Sequence, residues 1–342
     1  MQANPNQHPL CAPCRCTPQP TEKHGHEHSS PRSPGDAALC VHFSLTMPPP
    51  QPVEAAVARH VLHVPAPLRQ SLEPYLPQHA VPPSPHPHVT LTFATSLDGA
   101  LSLAPGIQTP LSGPESKAMT HFLRSRHDAI LIGVGTAIAD NPSLNCRIDG
   151  AGGYGGEPLQ GQPRPVVIDP RAKWDFGAAD SDLSNVAAAR LAKVLQLARE
   201  GRGRAPWIIT ALEPKKILAT RKSTLEACGG KYLTLSSQST DTGVSIFSWE
   251  TIRDALANEG IRSIMIEGGG GVINALLEPV NAALVKSVIV TIAPTWLGQG
   301  GVVVCPPRRF DSCGRMIPAA RLDSVQWVQC GQDIVLCGML NQ

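Results

Sequence analysis

The chain has 342 residues, 42% hydrophobic and 16% charged, with a formal net charge of +2 at pH 7. That length suits one large domain or two small ones, and the balanced charge without a dense Lys/Arg run leaves no nucleic-acid footprint. No apolar stretch approaches a bilayer span, no apolar signal core opens the chain, and residues 1–30 hold one Arg and two Glu, unlike an Arg-rich presequence. The expectation is a soluble cytoplasmic protein without a membrane partner.

Ten of the twelve histidines lie in residues 1–88, and nineteen prolines precede residue 88. Proline removes backbone donors, and few large apolar residues are present to repay ordering, so 1–60 reads as a disordered tail. Cys11, Cys14, Cys16 and His24 within it are residue types of a tetrahedral zinc set. No flanking apolar residues would build a domain around a metal, so no metal site is assigned. The other seven cysteines are scattered singly and read as reduced thiols. Residues 61–85 read as a linker with a short helix around Leu68–Leu76, and 86–342 as one domain.

From His88 onward the texture alternates. "HVTLTFAT" (88–95) is a β-branched strand. Residues 113–127 read as a helix, with Pro114 in the first turn, Glu115 at the positive end of the dipole, and Met119, Phe122 and Leu123 on one face. "AILIGV" (129–134) is a continuous apolar run, as in a strand buried on both faces. The pattern then predicts strands at 165–169, 207–210, 231–235, 262–266 and 284–294, with helices at 185–200, 249–259 and 272–278. Strands at 324–330 and 333–340, joined by Gly331-Gln332, read as an antiparallel hairpin. About nine strands alternating with helices predict an α/β domain, its largely parallel mixed sheet covered on both faces.

"IEGGGGVINALL" (266–277) places four glycines between a strand and a helix. Free amides at a helix start and missing Cβ atoms suit a phosphate, yet the spacing is not that of the usual dinucleotide fingerprint. A plain tight connection reads equally well. Two other strand ends are polar: Ser96-Leu97-Asp98-Gly99 after the first strand, and "GTAIADNPSLNCR" (135–147) after the second. Open α/β sheets bind ligands at the carboxyl ends of their strands, so the three segments point to one cleft.

Taken together, "LTFATSLDG" (91–99), residues 111–147, "VVIDPR" (166–171) and "IEGGGGVINALL" resemble the fungal riboflavin-pathway 2,5-diamino-6-ribosylamino-4(3H)-pyrimidinone 5′-phosphate reductases. These are related to the reductase domain of bacterial riboflavin deaminase-reductases. The likeness covers about 65 to 340. It implies a dihydrofolate-reductase-like fold, a homodimer, and hydride transfer from NADPH, or NADH, to the ribose C1′ of an opened ribosylamino substrate. It also implies that Thr136, Asp140, Gly269, Gly270, Gly271, Val272 and Ile273 contact the cofactor, with Thr210 near its adenosine half. Arg124, Arg147 and Glu267 would meet the substrate. For Arg124 a surface ion pair is the competing reading, and for Glu267 a plain strand-end acid. Asp98, with Glu267, is the candidate for moving the proton that opens the furanose ring. The lysine that bacterial relatives carry in the first strand is absent from "LTFAT". The tail lacks the H-x-E and P-C-x-x-C pattern of a zinc deaminase. A dihydrofolate-reductase-like enzyme and a non-catalytic pyrimidine-nucleotide binder remain as alternatives.

Overall fold

The computed structural model of the protein describes residues 60–78, 84–177, 191–239 and 245–340. The tail, with its Cys11, Cys14, Cys16 and His24 set, lies outside the described residues, as does the first part of the helix expected at 185–200.

All nine expected strands form, and they make one sheet. In chain order these are β1 (His88–Thr95), β3 (Ala129–Gly133), β4 (Arg164–Ile168), β5 (Trp207–Thr210), β6 (Lys231–Thr234), β9 (Ser263–Gly268), β10 (Ser287–Ile292), β12 (Leu322–Cys330) and β13 (Asp333–Leu340). Short pairs account for the missing numbers: β2 (Ala100–Ser102) with β11 (Val302–Val303), and β7 (Gln238–Ser239) with β8 (Ser245–Ile246). The sheet order is β12-β13-β10-β1-β9-β3-β4-β5-β6. Strands from β10 to β6 pair in parallel, while β13 runs antiparallel to both β10 and β12. The central strands β9 and β3 carry apolar residues at consecutive positions because helices cover both of their faces, while β1 alternates apolar residues with threonines.

Period-two alternation sorts these side chains. Val89, Leu91, Leu131, Ile264 and Ile266 point to one face, under Ile252 and Leu256 of α6 (Trp249–Asn258) and Ile273 and Leu276 of α7 (Gly270–Leu276). Met265 and Ile289 point to the other. There they meet Met119, Phe122 and Leu123 of α2 (Pro114–Ser125), and Leu68 and Leu72 of α1 (Ala66–Leu72). Further along that face, Ile130, Ile132, Val167 and Ile208 pack under Val194 and Leu195 of α4 (Lys193–Arg199) and Leu225 of α5 (Ala219–Ala227). Two more helices are short: α3 (Val134–Asp140) and α8 (Pro279–Ala282). No helix among the described residues is long and apolar enough to cross a membrane.

Helix α2 is held at its start by the carboxyl-terminal hairpin. The buried Asp333 accepts from the Gly113 amide at 2.9 Å and from the Ser116 hydroxyl at 2.6 Å. These bonds satisfy amides that the helix start leaves open. At its other end runs a buried polar seam. His127 Nδ1 lies 2.7 Å from the Leu123 carbonyl, so Nδ1 is the donor and Nε2 accepts from the Thr90 hydroxyl at 2.8 Å. The Thr90 and Ser287 hydroxyls lie 3.0 Å apart, and Ser287 Oγ lies 3.3 Å from His88 Nε2. The Thr90 bond to Nε2 requires a neutral His127. Burial, foremost, pushes His127 down to about 4, and burial with the nearby Arg124 and Arg147 charges pushes His121 down to about 2.

Below pH 6.5 the unfolded chain therefore binds protons that the folded chain refuses, and stability is lost as pH falls from there toward 4 for His127 and toward 2 for His121. We expect urea unfolding free energy to drop between pH 7 and pH 5 by up to about 1.4 kcal/mol per pH unit for each histidine. His127→Asn should flatten that slope; an unchanged slope refutes the assignment.

Candidate active site

The site is assembled where β9 ends. Leu131 of β3 pairs with Ile266, but the next pair is Ile132 with Gly268, so Glu267 is an extra residue in the ladder. On the β1 side the register stops at Ile266. A bulge of this kind re-aims its side chain. The Glu267 carboxylate meets Arg124 in the last turn of α2: Nε donates to Oε1 at 2.7 Å and Nη2 to Oε2 at 2.6 Å. Nη1 of Arg124 donates to the Asn145 carbonyl at 3.1 Å. Burial works against the guanidinium charge, but the charge and hydrogen bonds of Glu267 outweigh it and hold Arg124 above its usual range.

Beyond Glu267 the chain turns into α7 through Gly268 and Gly269. Gly269 has φ +102°, and a Cβ there would stand 2.8 Å from Thr136 Oγ1. A Cβ on Gly270 would collide with the Val302 side chain. The amides of Gly270, Gly271 and Val272 open α7 and have no acceptor within the helix, since the first bond is Ile273 N–H to the Gly269 carbonyl at 3.1 Å. The cradle is therefore open at its backbone and closed to side chains, and it fits the diphosphate of a nicotinamide cofactor.

Facing it is α3. The sequence reading took 135–147 as a polar segment, whereas Val134–Asp140 is helical and ends at Asn141 in the left-handed conformation, just before Pro142. That Asn-Pro stop was the available signal. Helical spacing sets Thr136 and Asp140 one above the other. Thr136 donates to the Gly268 carbonyl at 3.3 Å, which leaves its oxygen free to accept. Burial raises the Asp140 carboxyl above its ordinary range.

The cleft between these elements measures about 850 Å³ and is lined by Thr136, Asp140, Glu267 and Gly269–Ile273 together. This volume lies within the roughly 300–1,000 Å³ of small-molecule sites. Its opposite wall was not read from the sequence. It comprises Leu101 and Ser102 of β2, residues 105–109, and Val302 of β11. The turn Asp98-Gly99, with Gly99 at φ +76°, sends the chain back along β1 to build that wall, and "ALSLA" carried the alternation that would have found it.

Four expected residues do not line this cleft. Asp98 is exposed and accepts from the Ser96 hydroxyl, from the Gly298 amide at 2.7 Å and from the Leu297 amide at 3.2 Å. The Ser96 hydroxyl first, and then the Gly298 amide, hold its carboxyl below the usual range. A carboxylate so held ties two loops together and is a poor proton donor in this arrangement. Thr210 is fully buried; its hydroxyl donates to the Pro170 carbonyl at 3.2 Å and accepts from the Leu212 amide at 3.2 Å. It closes β5 at the carboxyl-end rim of the sheet, outside the lining of the cleft. Arg124 reaches the site through Glu267 and not as a free fork, so neither a surface ion pair nor an open phosphate ligand describes it. Arg147 lies beside His121, its Nε and Nη2 at 3.3 and 3.2 Å from Nε2, while its amide is 3.1 Å from Nδ1. A neutral imidazole has one acceptor nitrogen, so the amide and the guanidinium compete for it. Half-buried Arg147 has no carboxylate partner among the described residues.

Residues 87–336 match the model of the RibD C-terminal domain. The chain belongs to that family. Two curated relatives carry the name 2,5-diamino-6-ribosylamino-4(3H)-pyrimidinone 5′-phosphate reductase. The Saccharomyces cerevisiae protein is 35% identical over 275 residues, covering 80% of this chain and 95% of the relative. That of Debaryomyces hansenii is 35% identical over 277 residues, covering 80% and 96%. The solved riboflavin biosynthesis reductase of Saccharomyces cerevisiae superposes with a TM-score of 0.57 at 32% identity, covering 80% of this chain and 99% of that one. Within the RibD C-terminal family the mixed nine-stranded sheet is thus the expected frame.

Because the Arg124–Glu267 pair is largely buried, removing one partner strands the other. Arg124→Met should cost about 3–5 kcal/mol in urea unfolding. A loss under 1 kcal/mol would mean that the pair is not holding β9 to α2.

Proposed function

We propose that this protein is an NADPH-dependent reductase that converts the ribosylamino side chain of 2,5-diamino-6-ribosylamino-4(3H)-pyrimidinone 5′-phosphate to the ribitylamino chain, acting in the cytoplasm. The observation that carries this reading is the convergence of the glycine junction, Thr136, Asp140 and Glu267 on one cleft, in a chain that aligns over 95% of a fungal reductase of that name.

When bound, the nicotinamide supplies the hydride that reduces C1′. The amides of Gly270, Gly271 and Val272 receive the diphosphate, and side chains are excluded so that it can approach the backbone. Thr136 and Asp140 hold the nicotinamide half; the burial that raises Asp140 suits a carboxyl that shares protons with a ribose or carboxamide. The preference for NADPH is supported by Arg171 and Lys173 after β4, which are exposed and have no carboxylate partner among the described residues. Lys215 and Lys216 serve less well, since both pair with Glu213.

Glu267 receives the substrate sugar. Furanose opening moves a proton from the anomeric nitrogen to O4′ as the C1′–O4′ bond breaks and C1′=N forms. Hydride at C1′ and a proton at nitrogen then complete the amine. Arg124 fixes the carboxylate through two parallel hydrogen bonds, so Glu267 reaches the sugar in one orientation. Arg147, outside the cleft's lining and without a carboxylate partner among the described residues, takes the 5′-phosphate of a substrate that extends past Glu267.

The homodimer reading is supported by the sheet edge. Trp327 of β12 stands beside Leu336 of β13, and Gln329 beside Ile334, on the face that α6 and α7 cover further along. There Trp327 is 61% and Ile334 46% exposed. An apolar area of this kind on a sheet face is covered by a second copy.

In an assay of the full chain, NADPH oxidation should proceed with the diamino ribosylaminopyrimidinone phosphate, more slowly with its deaminated analogue, and not with dihydrofolate. Binding of the pyrimidine without turnover would favour a non-catalytic role, and activity on dihydrofolate alone would favour the other enzyme. Arg147→Gln should raise KM roughly tenfold with kcat kept, and Glu267→Gln should lower kcat roughly a hundredfold. For the assembly, light scattering should report a dimer, and Trp327→Glu a monomer; an unchanged mass rules out this surface.

A further inference from the structure

The parallel strands have a second set of ends. At their amino termini, on the rim opposite the glycine junction, lies a separate hollow of about 520 Å³. Its wall is built by the loops that lead into β3, β4, β5 and β9, and it includes Arg126, Asp128, Arg164, Arg204, Trp207 and Glu259. No residue of the cleft described above takes part.

The charges around this hollow do not balance. Arg126 is paired with Glu73, and Lys231, stacked 4.4 Å from the Trp207 ring centre, is paired with Glu259. Asp128 Oδ2 accepts from the amides of Arg262 at 2.8 Å and Ser263 at 3.0 Å. Those amides leave the Asp128 charge in place, so two unpaired guanidiniums, Arg164 and Arg204, stand against one carboxylate, and the hollow keeps one net positive charge. Arg164 Nη1 donates to the carbonyls of Ala205 at 2.7 Å and Gly229 at 3.3 Å, and its guanidinium carbon lies 4.9 Å from the Trp207 ring centre. Arg204 Nε donates to the Gln162 carbonyl at 2.9 Å and Nη2 to the Leu159 carbonyl at 3.3 Å. Neither meets a carboxylate among the described residues. An arginine has five N–H donors. Nε and Nη2 of Arg164, and Nη1 of Arg204, are left over.

Capping a carbonyl requires a donor, not a second full charge. Holding two guanidiniums together with neither in an ion pair is unfavourable, and burial with the Arg204 charge pushes Arg164 down to about 10. A concave site with excess positive charge, spare donors and an aromatic wall recognises an oxyanion. We propose that this amino-rim hollow binds a small phosphate-bearing molecule between Arg164 and Arg204, with Trp207 as a wall. The site is independent of the reductase reading, and it offers the enzyme a ligand contact away from its chemistry.

The probe is inorganic pyrophosphate, titrated calorimetrically into the full chain at low salt with NADPH at saturation, so that the glycine cradle is occupied. We expect one pyrophosphate per chain, with affinity falling as salt rises. Arg204→Gln should weaken it at least tenfold, and Arg204→Lys should retain most of it. Gln160→Glu, at an exposed position lining the hollow, should supply the missing negative charge: it should raise the melting temperature and abolish pyrophosphate binding. Pyrophosphate binding that is unchanged in both Arg204→Gln and Gln160→Glu, or no binding by the wild type, overturns the proposal. If NADPH itself fails to bind, the reductase reading fails, while the comparison of wild type with the far-rim variants still decides this one.

Discussion

The arrangement of the cleft depends on one buried contact, the doubly hydrogen-bonded ion pair between Arg124 and Glu267. Helix α2 is fixed at its start by Asp333 from the terminal hairpin, and at its end it grips the last residues of β9. The pair therefore links the antiparallel edge of the sheet to its parallel centre. A buried pair is not a strong source of net stability, because desolvation opposes the attraction. Its value here is directional. Two parallel bonds between planar groups leave Glu267 a single orientation, and the glycine turn follows it in the chain.

The carboxyl ends of β1, β3 and β9 do different work around that pair. β3 leads straight into α3, which presents Thr136 and Asp140. β9 leads into α7, which presents amides. β1 leads into a hairpin that supplies the opposite wall. The amino ends of β4 and β5 are tied together by arginines to loop carbonyls. The sheet thus separates a glycine-lined cleft bearing the carboxyls of Asp140 and Glu267 from a cationic hollow by the length of its strands.

Much of this was legible in the sequence. The nine strands were readable as continuous apolar runs, as in β3 and β9, or as alternating ones, as in β1 and β12, and the glycine junction stood out because four glycines between a strand and a helix are costly without a close approach to the backbone. What stayed hidden was partnership. Nothing local in "HFLRSRH" distinguishes an arginine aimed at solvent from one aimed at a carboxylate 143 residues away. Asp98 and Thr210 looked available because their partners, the amides of Leu297 and Gly298 and the carbonyl of Pro170, come from other loops. Short elements were also missed: α3 has seven residues and β2 three, too few for periodicity to speak. Motif positions survive such errors when the backbone itself forms the wall of the cleft, as at Gly269–Ile273, and not when the side chain must be free.

The surplus residue in β9 has one more effect. Glu267 sits outside the ladder on both of its neighbours, so the sheet asks nothing of its backbone. Its side chain is held by Arg124 instead, so an exchange there would spare the strand pairing but leave a buried guanidinium without its carboxylate. Chemistry and architecture therefore meet in one side chain, and retuning this scaffold from one sugar to another would take a joint change at positions 124 and 267.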